Sequence, residues 1–182
     1  MFTLLKKLSP ARIIALGFAL VILVGSGLLM LPCSVKDGVD LNYIDSLYTS
    51  TSAVCVTGLI AVDARDTFTP LGQFFLAMLI QIGGLGVTAV GAGIIVAMGK
   101  KINFKGRTVI REAMNLNSGK GLILFVRDIF ITTLVFELTG AALSFIAFVQ
   151  DYPPLHAAGI SLFHSVAAFN NSGFDILGNY QN

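Results

Sequence analysis

Two short strings in this chain hold residues whose chemistry would come from the backbone: Cys55-Val56-Thr57-Gly58 and Asn170-Asn171-Ser172-Gly173. Each ends in a glycine, and glycine accepts the positive φ angles needed to aim successive carbonyls the same way. A ring of such carbonyls can replace the water shell of a cation. Neither string contains Asp, Glu, Lys or Arg. A carboxylate ring, or an anion site built on basic side chains, is therefore not expected.

The strings belong to a repeat. Leu47 to Leu59 (LYTSTSAVCVTGL) lies over Leu162 to Phe174 (LFHSVAAFNNSGF) without a gap at an offset of 115. Leu47 meets Leu162, Ser50 meets Ser165, Ala53 meets Ala168, Thr57 meets Ser172 and Gly58 meets Gly173. Identities are few, but an apolar span precedes each copy. The order of span, short polar segment and Gly-ended tail occurs twice, a form shared with potassium-channel subunits: outer helix, pore helix, filter, inner helix. A pore helix ending at such a strand would also turn the negative end of its dipole toward the ion path, favouring cations.

The composition sets the medium. The chain is 55% hydrophobic and 12% charged, against about 25% charged for a typical soluble domain, so the expected class is an all-α integral membrane protein. Three uncharged or nearly uncharged runs are long enough to cross a bilayer, which takes about 20 residues: Ile13 to Val35, Thr67 to Gly99, and Ile129 to Gln150 with one charge at Glu137. The first is too long for a signal peptide and ends in Leu31-Pro32-Cys33, a poor cleavage site. In the second, Gly83, Gly84, Gly86, Gly91 and Gly93 offer small faces for close helix approach. Its loose G-x-G-x-x-A match lacks the strand and acidic residue of a dinucleotide site. Ser46 to Val62, between the first two spans, and Tyr152 to Phe174, after the third, are uncharged but too polar for lipid. Irregular backbone at that depth must be buried in protein or line a cavity, so both read as re-entrant segments.

Basic residues in short connections mark the cytoplasmic side. Lys6, Lys7 and Arg12 lie at the N-terminus, and Lys100, Lys101, Lys105, Arg107, Arg111, Lys120 and Arg127 follow the second span. The N-terminus and residues 100–127 are thus expected in the cytoplasm, with both re-entrant segments entering from outside. The remaining candidates carry less. Glu137 is a functional candidate by its depth, with a hydrogen-bonded packing role as the plainer reading. His164 reads as a packed residue and His156 has no zinc partner. Cys33 and Cys55 show no metal-ligand spacing and little support for a disulfide. The Asn170-Asn171-Ser172 sequon would be unreachable at filter depth, and no catalytic set is evident.

The strings TSAVCVTGLIAVD, FTPLGQFFLAMLIQIGGLGV and AFNNSGFDILGN closely resemble the bacterial Trk/Ktr potassium-uptake family, especially its Ktr-type translocating subunit, over nearly the whole chain. The resemblance implies four pore units in one polypeptide around a single pore. Gly58 and Gly173 would be the glycines linked to preference for K+ over Na+. The ion-facing carbonyls would come from Cys55, Val56, Thr57 and Gly58, and from Asn170, Asn171, Ser172 and Gly173. K+ would be the substrate, Na+ a candidate coupling or activating ion, and no cofactor would be tightly bound. The full-length form would be a homodimer among membrane lipid, joined by a cytosolic nucleotide-binding regulatory subunit and no nucleic acid, and not an enzyme. Residues 100–127 would be a docking surface or, equally, a solvated loop.

On this reading residues 1–99 form a first unit, with outer helix about 10–31, pore helix about 42–54, filter 55–59 and inner helix about 69–99. Residues 128–182 form an incomplete second unit, with outer helix about 128–150, pore helix about 155–169 and filter 170–174. The second inner helix, the third and fourth units and the family's gating loop are not in this sequence. Two strands of four cannot close a filter, so this chain alone is expected not to conduct. A non-conducting fragment or structural membrane subunit is the alternative.

Overall fold

A computed structural model describes residues 9–97, 104–114 and 121–178. Among them are eight helices and no strand apart from one antiparallel bridge between Val35 and Phe68. Helix α1 is Pro10–Leu29, α2 Tyr43–Cys55, α3 Ala64–Thr67, α4 Pro70–Leu85, α5 Val87–Ala97, α6 Phe104–Ala113, α7 Leu122–Phe148 and α8 Pro154–Phe169. Proline opens α1, α4 and α8, where its missing N–H and fixed φ suit the first turn. The Thr69 hydroxyl caps α4 by accepting from Gly72 N–H at 3.2 Å.

Helices α1 and α7 are long and apolar enough to cross a membrane, and α4 with α5 makes a third span if the bent pair counts as one. Leu20 and Leu143 are 63% and 66% exposed on α1 and α7, an arrangement suited to lipid and not to water. One core joins both halves, with Leu29, Val54, Phe68, Leu76 and Ile80 of the first packed with Ile160, Phe163 and Phe174 of the second. A second cluster holds Ala92, Ile110, Leu122 and Val126, where α6 meets α5 and α7.

The repeat extends well beyond the polar segments. In the first unit Ser50 Oγ of α2 donates to the Ile22 carbonyl of α1 at 2.8 Å. In the second, Ser165 Oγ of α8 donates to the Glu137 carbonyl of α7 at 2.6 Å. Donors and acceptors both stand 115 residues apart, so the register continues without a gap into the outer helices. Gly25 and Gly140, also related by 115, make room for these two hydroxyls. Ser46 adds a third cross-helix bond, to the Ser26 carbonyl at 2.8 Å.

Two elements differ from the sequence expectation. The inner helix expected over 69–99 is broken: α4 and α5 meet at 100°. Gly86 at φ +86 ends α4, a backbone conformation open to glycine and costly to other residues. It packs against nothing within 4 Å, and neither does Gly91. Of the five glycines, Gly83 lies on the Val54 backbone, Gly84 on the Asn170 side chain and Gly93 on the Phe130 ring. The 100–127 connection, expected as a loop, contains α6, and α7 starts at Leu122. Residues 100–103 and 115–120 of that connection, with Lys6 and Lys7, lie outside the described residues.

Lipid tails are as apolar as leucine, so close packing and hydrogen bonds hold membrane helices together more than burial does. A methyl group on Gly83 would overlap the Val54 carbonyl. Gly83→Ala in the complete protein is expected to lower stability by about 1–3 kcal/mol, read as a fall in Tm in detergent. Gly91→Ala, in open space, should leave Tm unchanged or slightly raised. Equal Tm values for the two variants would contradict the packing of α4 on α2.

Candidate functional site

Helices α2 and α8 stop in the same way. After α2, Val56 turns left-handed at φ +53, and its N–H donates to the Ala53 carbonyl at 3.3 Å while Thr57 N–H donates to Ser52 at 3.0 Å. After α8, Asn171 turns left-handed at φ +54, with Asn171 N–H to Ala168 at 3.0 Å and Ser172 N–H to Ala167 at 2.9 Å. This is the Schellman ending, which satisfies two otherwise orphaned carbonyls. Every donor and acceptor in it is again displaced by 115. Two residues past each left-handed residue come Gly58 at φ +70 and Gly173 at φ +73.

The two segments that follow α2 and α8 touch through these glycines. A Cβ on Gly58 would stand 2.8 Å from the Ser172 carbonyl oxygen and 3.2 Å from Gly173 Cα, and one on Gly173 would stand 3.1 Å from Gly58 Cα. Side chains at either site would drive the strands apart. Beyond them, Arg65 crosses from the first unit, its guanidinium donating to the Leu177 carbonyl. Lys36 Nζ in turn donates to the Arg65 carbonyl at 2.5 Å.

Over residues 9–180 the sequence matches the TrkH family, described as a cation transport protein. The chain belongs to that family. It is 39% identical over 173 residues to the potassium/sodium uptake protein NtpJ of Enterococcus hirae, covering 95% of this chain and 38% of that protein. It is 40% identical over 170 residues to the Ktr system potassium uptake protein B of Bacillus subtilis, covering 93% of this chain and 38% of that one. The protein of the same name from Vibrio alginolyticus is 35% identical over 163 residues, covering 90% of this chain and 35% of its own length. This TrkH-family chain thus spans little more than a third of the relatives it matches.

Within the TrkH-family frame the two strands are not chemically equal. Thr57 Oγ1 donates to Ser52 Oγ at 3.0 Å. Its counterpart Ser172 is fully buried with no partner for its hydroxyl, because alanine, Ala167, stands where Ser52 stands in the first copy. Thr49 and His164, another pair related by 115, each keep one buried side-chain polar atom without a partner. His164 is a packed residue, its Nδ1 2.8 Å from the Ile160 carbonyl and its ring against Phe148 and Phe163. His156 lies against the Tyr152 ring. Cys33 and Cys55 are both free and exposed.

Glu137 takes the position of Ile22. It is 7% exposed and one carboxyl oxygen has no partner. It borders a cavity of about 620 Å³ between α4 and α8, and none of residues 55–58 or 170–173 lines that cavity. Its carboxyl is also hydrogen-bonded by the Gln81 side chain, which joins it to the second segment through one intervening amide. Sequence reading missed Gln81, whose side-chain oxygen accepts from Asn170 Nδ2 at 2.7 Å. A lone amide in an apolar glycine-rich run was the available signal.

A left-handed Val56 costs about 1–2 kcal/mol relative to an ordinary conformation, and Asn171 shows the residue better suited to that turn. Val56→Asn in the complete protein is therefore expected to raise stability by about 1 kcal/mol. Thermal unfolding in detergent reads this, and a lowered Tm would contradict the left-handed assignment.

Proposed function

We propose that residues 55–58 and 170–173 are two of four strands in a K+ filter, and that the complete protein is the translocating subunit of a K+ uptake system. The supporting observation is the twice-used ending: helix, left-handed residue, then a positive-φ glycine, with Gly58 against Ser172 and Gly173. Carbonyls released from a helix C-terminus carry partial negative charge, and held in a ring they suit a desolvated monovalent cation. The relatives are named for potassium uptake and, in one case, potassium and sodium uptake, which supports K+ as substrate and Na+ as a coupling or activating ion.

In this reading the protein is a multi-pass cell-membrane transporter, not an enzyme, with the N-terminus and residues 100–127 in the cytoplasm. The full-length form pairs as a homodimer and takes a cytosolic nucleotide-binding regulatory subunit. The "Ktr system" wording of three relatives agrees with such a second component. Helix α6, bearing Arg107 and Arg111, belongs to the face that would meet it.

Gly58→Ser or Gly173→Ser, made in the complete protein, is expected to lower the ratio of K+ to Na+ uptake about tenfold, equivalent to about 1.4 kcal/mol. Uptake of both ions into K+-depleted cells measures the ratio. An unchanged ratio at normal protein abundance would sink the filter assignment.

A further inference from the structure

We propose that Gln81 is a positioning residue for ion selectivity: an amide on the first unit's inner helix that fixes the start of the second unit's strand. The inference rests on the reading of residues 170–173 as a filter strand. Asn170 is the last residue of the pore-helix turn and directly precedes the left-handed Asn171. Its side-chain amide offers two N–H donors, and both are used. Nδ2 donates to the Val166 carbonyl at 2.9 Å, within its own helix, and to Gln81 Oε1 at 2.7 Å, on α4. The Oδ1 side of Asn170 rests on Gly84, where even a methyl group would overlap it. Gln81 and Gly84 are three residues apart and so share one face of α4. Together they grip the Asn170 side chain from the neighbouring unit.

The comparison inside the molecule strengthens the case. At the equivalent place the first segment has Cys55, a side chain that cannot offer the two N–H donors of Asn170. Asn170 leads straight into the left-handed turn, so a change in its orientation rotates the carbonyls that follow. A second amide on the same helix, Gln73, donates to Phe68 in its own unit at 3.3 Å and borders the same cavity as Gln81. It supplies a control that touches no strand.

The test uses the complete transporter and reads K+ and Na+ uptake separately. Gln81→Leu removes the acceptor, and Gln81→Asn keeps an amide but withdraws it by one methylene, so that a folded variant is at hand should leucine prevent accumulation. Both are expected to lower the K+/Na+ uptake ratio about fivefold, the effect of one lost neutral hydrogen bond. Asn170→Ala should do the same, and Gln81→Leu with Asn170→Ala should do no more than the stronger single change, since both remove the bond between Gln81 and Asn170. Gln73→Leu should keep the wild-type ratio. A wild-type ratio in Gln81→Asn, equal losses of both ions, or additive effects in the double variant would overturn the proposal. Gly173→Ser separates the two readings. If it lowers the ratio while Gln81→Asn does not, only the role of Gln81 falls; if it leaves the ratio unchanged, the filter reading falls as well.

Discussion

A helix that ends inside a membrane leaves its last carbonyls without N–H partners, and no water is present to take them. The rest of the structure depends on how that problem is met. Helices α2 and α8 each close two of those carbonyls with a Schellman turn, then the chain leaves in a conformation that glycine permits. The turn also decides the direction of exit, so the flanking elements must hold the pore helix at a fixed height and angle. Serine hydroxyls bonded to outer-helix carbonyls do this on one side. On the other, α4 approaches closely enough for Gly83 to lie on the Val54 backbone.

Much of this was legible in the sequence because it is local. Apolar length and hydroxyl-rich segments pointed to α1, α2, α7 and α8, and the gap-free overlay paired residues 55–58 with residues 170–173. What stayed hidden depends on contacts distant in the chain. Five glycines in one run look alike, yet one breaks the helix and three receive neighbours, according to what other helices bring to them. Gln81 and Asn170 are 89 residues apart, and no spacing rule connects them. Val56 carries a β-branched side chain that argues against a left-handed turn, so its conformation could be anticipated only through its counterpart Asn171. The charge of Arg127 placed it in the connection, but it pairs with Asp128 at 3.0 Å on an exposed turn of α7.

The two units share a scaffold and differ in how its polar groups are matched. Threonine paired with serine in one copy becomes serine beside alanine in the other. A free thiol in one becomes a doubly bonded amide in the other. Backbone geometry is held in common while side-chain bonding diverges. This fits a site whose ligands are carbonyls: the main chain must repeat, and each strand can be supported by whatever its neighbours supply.

The bond from the serine of α2 or α8 to the carbonyl of α1 or α7 closes a loop of the same length in both copies, 28 residues from acceptor to donor. The chain is folded differently inside those equal loops. In the first, residues 30–42 separate the helices; in the second, only residues 149–153 do, because α7 runs further and α8 begins sooner. Connections of this kind ordinarily tolerate insertions and deletions. Here length persisted where secondary structure did not, as after a tandem duplication in which contour was retained and shape was free to drift. The loop acts as a ruler, setting where along its long neighbour each short helix sits by the amount of chain it contains.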